Sequence, residues 1–298
     1  MQLSVMGRPV VVETSHPALL AAVAQVYASW RGAPPGEGPP IRIALEAGAG
    51  EAFQGPTEVR VDGLRLDLVA AGVEGWADAR SLQAFCQLPA SLAARSAELA
   101  AEVLDTLLLF LLTRSGRIPV HAAGVMIGGT AAVLAGPSGS GKSTLSVAAM
   151  ARGLRILSDD TVYIQLQPSL RIWGFPRPVH VFPADAPRFT QGTRLRAGKL
   201  KAAVPLPPDP GLLAADRAAL VILERGKAVA LQPAETAAAL SVLARLEPGF
   251  DLLAADAGAA AAALAKSGPW RLTLSDDPAE AIEALVARFA PASPEGPR

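Results

Sequence analysis

Nine consecutive residues, Gly136-Pro137-Ser138-Gly139-Ser140-Gly141-Lys142-Ser143-Thr144, restrict this chain more than anything else in it. They satisfy the pattern G-x-x-x-x-G-K-[ST] at every fixed position. Chemistry dictates that spacing. Glycines let the backbone turn tightly, so successive N–H groups point into one concavity and hold phosphate oxygens. A helix that starts directly behind the loop adds the positive end of its dipole. A lysine placed as Lys142 is reaches β- and γ-phosphates, and a hydroxyl placed as that of Ser143 can ligate Mg²⁺. Both flanks agree with the motif. Thr130 to Ala135 is a short apolar run of strand type, and Leu145 to Arg152 reads as a helix of small residues. A Gly/Ser-rich turn matching by chance would not bring the strand and the helix with it.

A second feature follows closely. Leu154 to Gln165 reads as an apolar strand interrupted by two adjacent carboxylates, Asp159 and Asp160. One short helix separates it from the loop. A right-handed crossover would place this strand in the same parallel sheet as the P-loop strand. The acidic pair would then sit near Ser143, where a nucleotide-bound Mg²⁺ belongs. Adjacent strand residues point to opposite sides. Both can therefore serve one site only where the strand ends or bulges.

These residues carry a resemblance. His121-Ala-Ala-Gly-Val125, the small apolar strand, the loop, and then Leu157-Ser-Asp-Asp160 look like the catalytic domain of the HPr kinase/phosphorylase group, which is akin to ATP-dependent phosphoenolpyruvate carboxykinase. The match is specific over about Ile118 to Ile164 and weaker to about Ala290. HPr kinases proper carry a glutamate-containing segment after the Asp pair. Here Trp173 to His180 holds no acid. The chain therefore resembles the looser set of HPr-kinase-related proteins, some of which accompany peptide-modifying gene clusters. The resemblance does not make HPr the substrate and does not extend to the reverse phosphorylase reaction.

What the resemblance implies is specific. The fold class is α/β: a P-loop kinase domain of HPr kinase type over residues 93–290, preceded by a smaller α+β region over 1–92, with a disordered tail over 291–298. The activity is transfer of the γ-phosphoryl group of ATP to a hydroxyl, first of all Ser or Thr of a peptide or protein acceptor. A small-molecule kinase is the nearest alternative. A nucleotide-binding regulator or ATPase without an acceptor is the next. ATP and Mg²⁺ are the cofactors. Gly136 to Thr144 would hold the triphosphate, Lys142 would neutralise it, and Ser143 with Asp160 would hold the metal. Asp159 would take the proton of the attacking hydroxyl, and His121 would belong to the same site.

Composition narrows the remaining options. The chain has 298 residues, 51% of them apolar, so a sizeable core is available for one or two domains. Formal net charge is zero and no long Lys/Arg cluster occurs, which leaves nucleic acid without an electrostatic footprint. Cys86 is the single cysteine, so no intrachain disulfide forms, and a cytoplasmic setting suits that. No signal-peptide pattern opens the sequence. The most apolar segment, Leu104 to Leu112, falls short of the about 20 residues that span a bilayer. No membrane partner is expected. The oligomeric state stays open, a homo-oligomer included.

The rest reads in order. Leu3 to Glu13 suggests one strand, and His16-Pro17 opens a helix to Trp30, with His16 a cap or turn residue. Strands follow at Ile41 to Leu45, Glu58 to Val61 and Leu64 to Leu68. Whether this region recognises substrate or only packs is open. Ser91 to Thr113 is the longest helix candidate, with Glu98, Glu102 and Asp105 on a polar face and a buried apolar end. After the Asp pair, Arg177 and His180 are candidates for substrate or phosphate contact. Arg188 to Lys201 reads either as a solvated basic loop or as a mobile one. In the second case Arg194, Arg196, Lys199 or Lys201 would stabilise transferring phosphate charge. Pro205 to Gly211 reads as a stiff connector. A strand at Ala218 to Leu223, helices at Pro233 to Leu246 and Leu252 to Lys266, and a strand at Trp270 to Leu274 come next. Asp277-Pro278-Ala279-Glu280 then opens a helix with a capping box.

Overall fold

The computed structural model describes residues 1–48, 57–183, 193–196, 199–206, 213–244 and 254–291. The fold is mixed α/β. The described residues form two compact units, one up to Arg117 and one from Ile118 onward. The division thus falls after the long helical stretch, not before it at residue 92.

The first unit is a sheet with helices on one face. Its strands are β1 (Gln2–Val5), β2 (Arg8–Glu13), β3 (Ile41–Gly48), β4 (Glu58–Asp62), β5 (Arg65–Ala70), β6 (Val73–Asp78) and β7 (Gln83–Pro89). They lie in the order β1-β2-β3-β7-β6-β5-β4. The β2/β3 and β3/β7 pairs are parallel, and the others are antiparallel. Leu3 to Glu13 is therefore a hairpin and not one strand. Met6 and Gly7 both take positive φ, at 48° and 71°, which is what a tight two-residue hairpin turn demands.

Helix α1 (Pro17–Val26) starts behind His16, as the sequence suggests. The long helical stretch begins as α2 (Ser96–Glu98), widens into a π-helical segment over Leu99–Leu104, and continues as α3 (Asp105–Arg114). The wide turn rotates everything after it relative to a regular helix. Asp105 consequently leaves the polar face and is buried, accepting a 3.0 Å hydrogen bond from the Tyr27 hydroxyl. Leu107 to Leu112 are all buried, as their composition requires.

The second unit is layered around a six-stranded mixed sheet. Its first elements are β8 (Ile118–Val120), β9 (Ala122–Ile127), β10 (Thr130–Ala135), α4 (Lys142–Ala151), β11 (Arg155–Ser158) and β12 (Val162–Gln165). Then come β13 (Arg171–Trp173), β14 (Val179–Val181), β15 (Thr193–Arg196), β16 (Lys199–Val204), β17 (Ala214–Ala215) and β18 (Arg217–Arg225). The chain continues through β19 (Ala230–Pro233), α5 (Thr236–Leu243), α6 (Ala254–Ala265), β20 (Trp270–Leu274) and α7 (Pro278–Phe289). The central sheet runs β11-β9-β10-β18-β20-β19, with β10, β18 and β20 parallel. A four-stranded sheet runs β17-β13-β12-β8, and a three-stranded one β14-β16-β15.

Strand β10 shows why the core is divided. Ala131, Val133 and Ala135 face a cluster that includes Ile118, Val162 and Ile164 of the four-stranded sheet and Ala260 and Leu264 of α6. Ala132 and Leu134 face Leu145 of α4 and Ile282 and Leu285 of α7. A strand covered on both faces reads as an unbroken apolar run, which is what Thr130 to Ala135 is.

Leu154 to Gln165 is not one strand in a parallel sheet. It is β11 and β12, in two different sheets. β11 pairs antiparallel with β9, which separates it from β10. A register shift falls between Ile156 and Ser158, so the expected irregularity is present. Of the stretch Arg188 to Lys201, the described residues lie in strands: β15 and β16 pair antiparallel, and β16 pairs with β14. Residues 188–192 and 197–198 lie outside the described residues. Residues 207–212, 245–253 and the tail from 292 lie outside the described residues, so parts of the connector, of the two Ala-rich helices and of the tail are not compared.

Candidate active site

The loop is built from the end of β10 to the start of α4. Gly139 and Gly141 take φ of 83° and 109°, and α4 begins at Lys142 with Gly141 as its N-cap. Gly141 also has little room. A methyl group there would lie 3.1 Å from Leu274 Cδ1 and 3.4 Å from Arg225 Nη2. Strand β18 runs parallel beside β10 and extends beyond it, which brings Arg225 to the loop. Sequence reasoning missed Arg225. It carries no motif, and only the strand pairing reveals it.

Lys142 is 7% exposed, and its Nζ donates to the carbonyl oxygens of Gly136 at 2.7 Å and Pro137 at 3.3 Å. Burial pulls its pKa below the ordinary 10.5, Asp160 opposes that, Lys201 adds to it, and Asp159 opposes it. Lys201 is thus close enough to act on Lys142. The Ser140 hydroxyl is buried and makes no hydrogen bond among the described residues.

Two seams position the acidic side. The chain leaves the four-stranded sheet at β8 and enters the central sheet at β9, and His121 is the residue between them. It makes the reverse change from β11 to β12, and Asp159, Asp160 and Thr161 lie in that gap. Because β9 pairs with β11 and β8 with β12, the two gaps face each other. His121 Nδ1 therefore lies 3.6 Å from Asp160 Oδ1, with the Asp160 side chain half-exposed. Asp159 is buried. Its Oδ2 accepts from the Ser143 hydroxyl at 3.4 Å and from the His180 main-chain N–H at 3.2 Å.

The two carboxylates thus occupy different surroundings. Ser143 is bonded to Asp159 and not to Asp160, the reverse of the division the resemblance implied. Among the described residues no group of three or more His, Cys, Asp and Glu side chains could hold a metal ion unaided. A hydroxyl and one carboxylate nonetheless fit Mg²⁺, which takes phosphate and water as its other ligands.

The remaining candidates divide. His180 is brought to the site through its main chain. Lys201 lies in β16, with Nζ 5.7 Å from the Phe182 ring centroid. Arg177 stacks on Phe175 at 4.4 Å and donates to the Pro176 carbonyl oxygen at 2.9 Å. Arg194 is opposite Lys201 and Arg196 opposite Lys199 in the β15/β16 register. The side chains of Arg194, Arg196 and Lys199 lie outside the described residues.

No family model matches the chain, and no curated protein matches it. Among solved structures, the HPr(Ser) kinase/phosphatase from Coxiella burnetii is similar at 13% identity and a TM-score of 0.27, covering 57% of this chain and 93% of that one. A likeness that weak leaves the functional reading to the site itself.

Proposed function

We propose that this chain is an ATP-dependent kinase that transfers the γ-phosphoryl group to a hydroxyl, that of Ser or Thr in a peptide or protein. One observation carries the reading. A complete P-loop at a helix N-terminus meets two carboxylates in distinct environments, one on the loop's own serine and one on a histidine. A P-loop alone supports nucleotide binding. The half-exposed Asp160 beside His121 supplies what transfer to a hydroxyl needs, a base open to an incoming acceptor.

The loop N–H groups and the α4 N-terminus hold the triphosphate. Lys142 exchanges its two carbonyl partners for β- and γ-oxygens, and Arg225 adds positive charge on the same side. Ser143 and Asp159 hold Mg²⁺, which when bound neutralises charge on the β- and γ-phosphates. Asp160 accepts the acceptor's proton as its oxygen bonds to Pγ, and the bond from Pγ to the ADP oxygen breaks. His121 orients Asp160. Lys201 and the β15/β16 hairpin stabilise the charge that spreads over the transferring group.

Incubation with γ-labelled ATP and candidate acceptors tests this. Label on an acceptor hydroxyl is the expected result. Release of free phosphate alone, with every acceptor unlabelled, would make the chain an ATPase without an acceptor.

A further inference from the structure

The first unit's sheet has an open face, and no helix of that unit packs on it among the described residues. Alternation sends Ile43 and Leu45 of β3, Leu66 and Leu68 of β5, and Cys86 of β7 inward. The other set of side chains is not random. Trp76 and Phe85 are direct partners across β6 and β7, with rings stacked 6.4 Å apart at 30°. The Arg65 guanidinium covers Trp76 at 4.5 Å from the ring centroid. Neither aromatic is fully buried.

One row along the strands, Val69 faces Glu74, Glu74 faces Gln87, and Gln87 faces Glu46. Val69 is 52% exposed. The arginines of this face already have acidic partners: Arg42 with Glu13 at 3.5 Å, Arg65 with Asp67 at 3.0 Å, and Arg60 with Glu58 at 3.9 Å. Glu46 and Glu74 are exposed and have no ion-pair partner among the described residues. The unbalanced charge is therefore negative, and it lies beside the aromatic pair.

We propose that this face binds an extended basic peptide. Arg and Lys side chains suit both rows, stacking over aromatic rings and pairing with carboxylates. The rows are two residues apart along the strands, about 7 Å, and residues two apart in an extended peptide have that same spacing. One basic side chain can then lie on Phe85, beside the Arg65 that already covers Trp76, while the next on that side reaches Glu74 and Glu46. A nucleic acid strand could stack on the same rings, but its phosphates would meet uncompensated carboxylates. The surface is separate from the P-loop site and does not require phosphoryl transfer.

The test uses the full chain and fluorescence anisotropy at about 0.15 M salt. The probes are labelled peptides of about eight residues, the length of a long strand, one alternating Arg and Leu and one alternating Glu and Leu. The parent binds the basic peptide and not the acidic one. Trp76→Ala with Phe85→Ala weakens binding by about ten-fold or more. Glu46→Lys with Glu74→Lys alters only exposed positions and shifts preference to the acidic peptide. Should the aromatic variant unfold, the charge reversal decides alone. Binding persists in Lys142→Ala, so failure of the kinase reading and failure of this one are told apart. Equal binding of both peptides, an unchanged preference after charge reversal, or tighter binding of a single-stranded oligonucleotide overturns the proposal. So does self-association of the parent that the basic peptide cannot compete with.

Discussion

Replacing Asp159 and Asp160 one at a time with Asn separates the two roles proposed for them. Asp160 is half-exposed, with His121 Nδ1 3.6 Å from its Oδ1. Asn at this position leaves the fold alone. It cannot take a proton, so transfer should fall by about 10²–10⁴-fold, or about 2.7–5.5 kcal/mol of barrier, with MgATP binding nearly intact. Asp159 is buried and accepts from Ser143 and His180. Asn keeps an acceptor for the His180 N–H but loses the charge. The hydrogen bond falls from the charged range of about 1.5–3 kcal/mol towards the neutral value of about 1, so the fold loses about 0.5–2 kcal/mol. The larger effect is on the metal. Half-maximal transfer should need about ten-fold more Mg²⁺ or beyond, and nucleotide affinity should fall with it. Single-turnover transfer measured against Mg²⁺ concentration, with calorimetry of MgATP binding, reads both. If Asp160→Asn moves the Mg²⁺ dependence and Asp159→Asn does not, the division is reversed. If both variants transfer like the parent, the pair is structural and the kinase mechanism fails.

Other expectations follow from single contacts. Lys142→Ala removes a charge-assisted contact of about 2–3 kcal/mol, so MgATP affinity or turnover drops by tens-fold or more without unfolding; unchanged calorimetry and turnover would refute the loop assignment. Lys142 titrates below 10.5, so MgATP affinity in the parent declines at alkaline pH as its ammonium loses the proton. Asp160→Asn should move that decline to lower pH and Lys201→Met to higher pH; pH-dependent calorimetry that finds neither shift refutes the coupling. Asp277→Ala, which loses the 2.8 Å cap on the Ala279 N–H, should cost about 1 kcal/mol in denaturant unfolding; no loss would mean that the cap is not stabilising. Burial pushes the Cys86 thiol up to about 12, so it should resist thiol reagents near neutral pH until the chain is unfolded; fast labelling of the native protein would contradict its burial.

The sequence made local chemistry legible where one short stretch carries the whole constraint. The loop and the α7 start stand where the residues place them, while α4 begins at Lys142, about one turn before the Leu145 start that the sequence suggests. At α7 the capping box is relayed, not direct: Asp277 caps Ala279, while Ser275 accepts from the Asp277 N–H and donates to Glu280. Features that depend on partners distant in the chain were hidden. Asp105 reads as solvent-facing in any regular helix, and only the π-helical turn buries it. Strands β6 and β7 were missed because Gly75, Trp76 and the Gln-flanked Phe85 give no clean alternation of apolar and polar residues. Arg225 was missed because strand pairing, not spacing, brings it to the loop.

The same distinction explains the site's compactness. In the simplest crossover, the strand after a P-loop helix would lie next to β10. Here β9 occupies that place, so β11 lies two strand spacings away, roughly 10 Å from β10. Helix α4 must cross that gap, and it packs on both β9 and β11. Its first turn therefore stands over the end of β11, where the chain leaves the sheet and the strand alternation lapses. Two adjacent carboxylates on a continuing strand would point to opposite sides, one of them into the core. At this seam both stay near the loop, Asp159 under Ser143 and Asp160 beside His121. The insertion of β9 thus accounts for two things together: an acidic pair so close in sequence to Lys142, and its two members in different surroundings. A change that extends β11 regularly through Asp159 would force one carboxylate inward and separate it from the site.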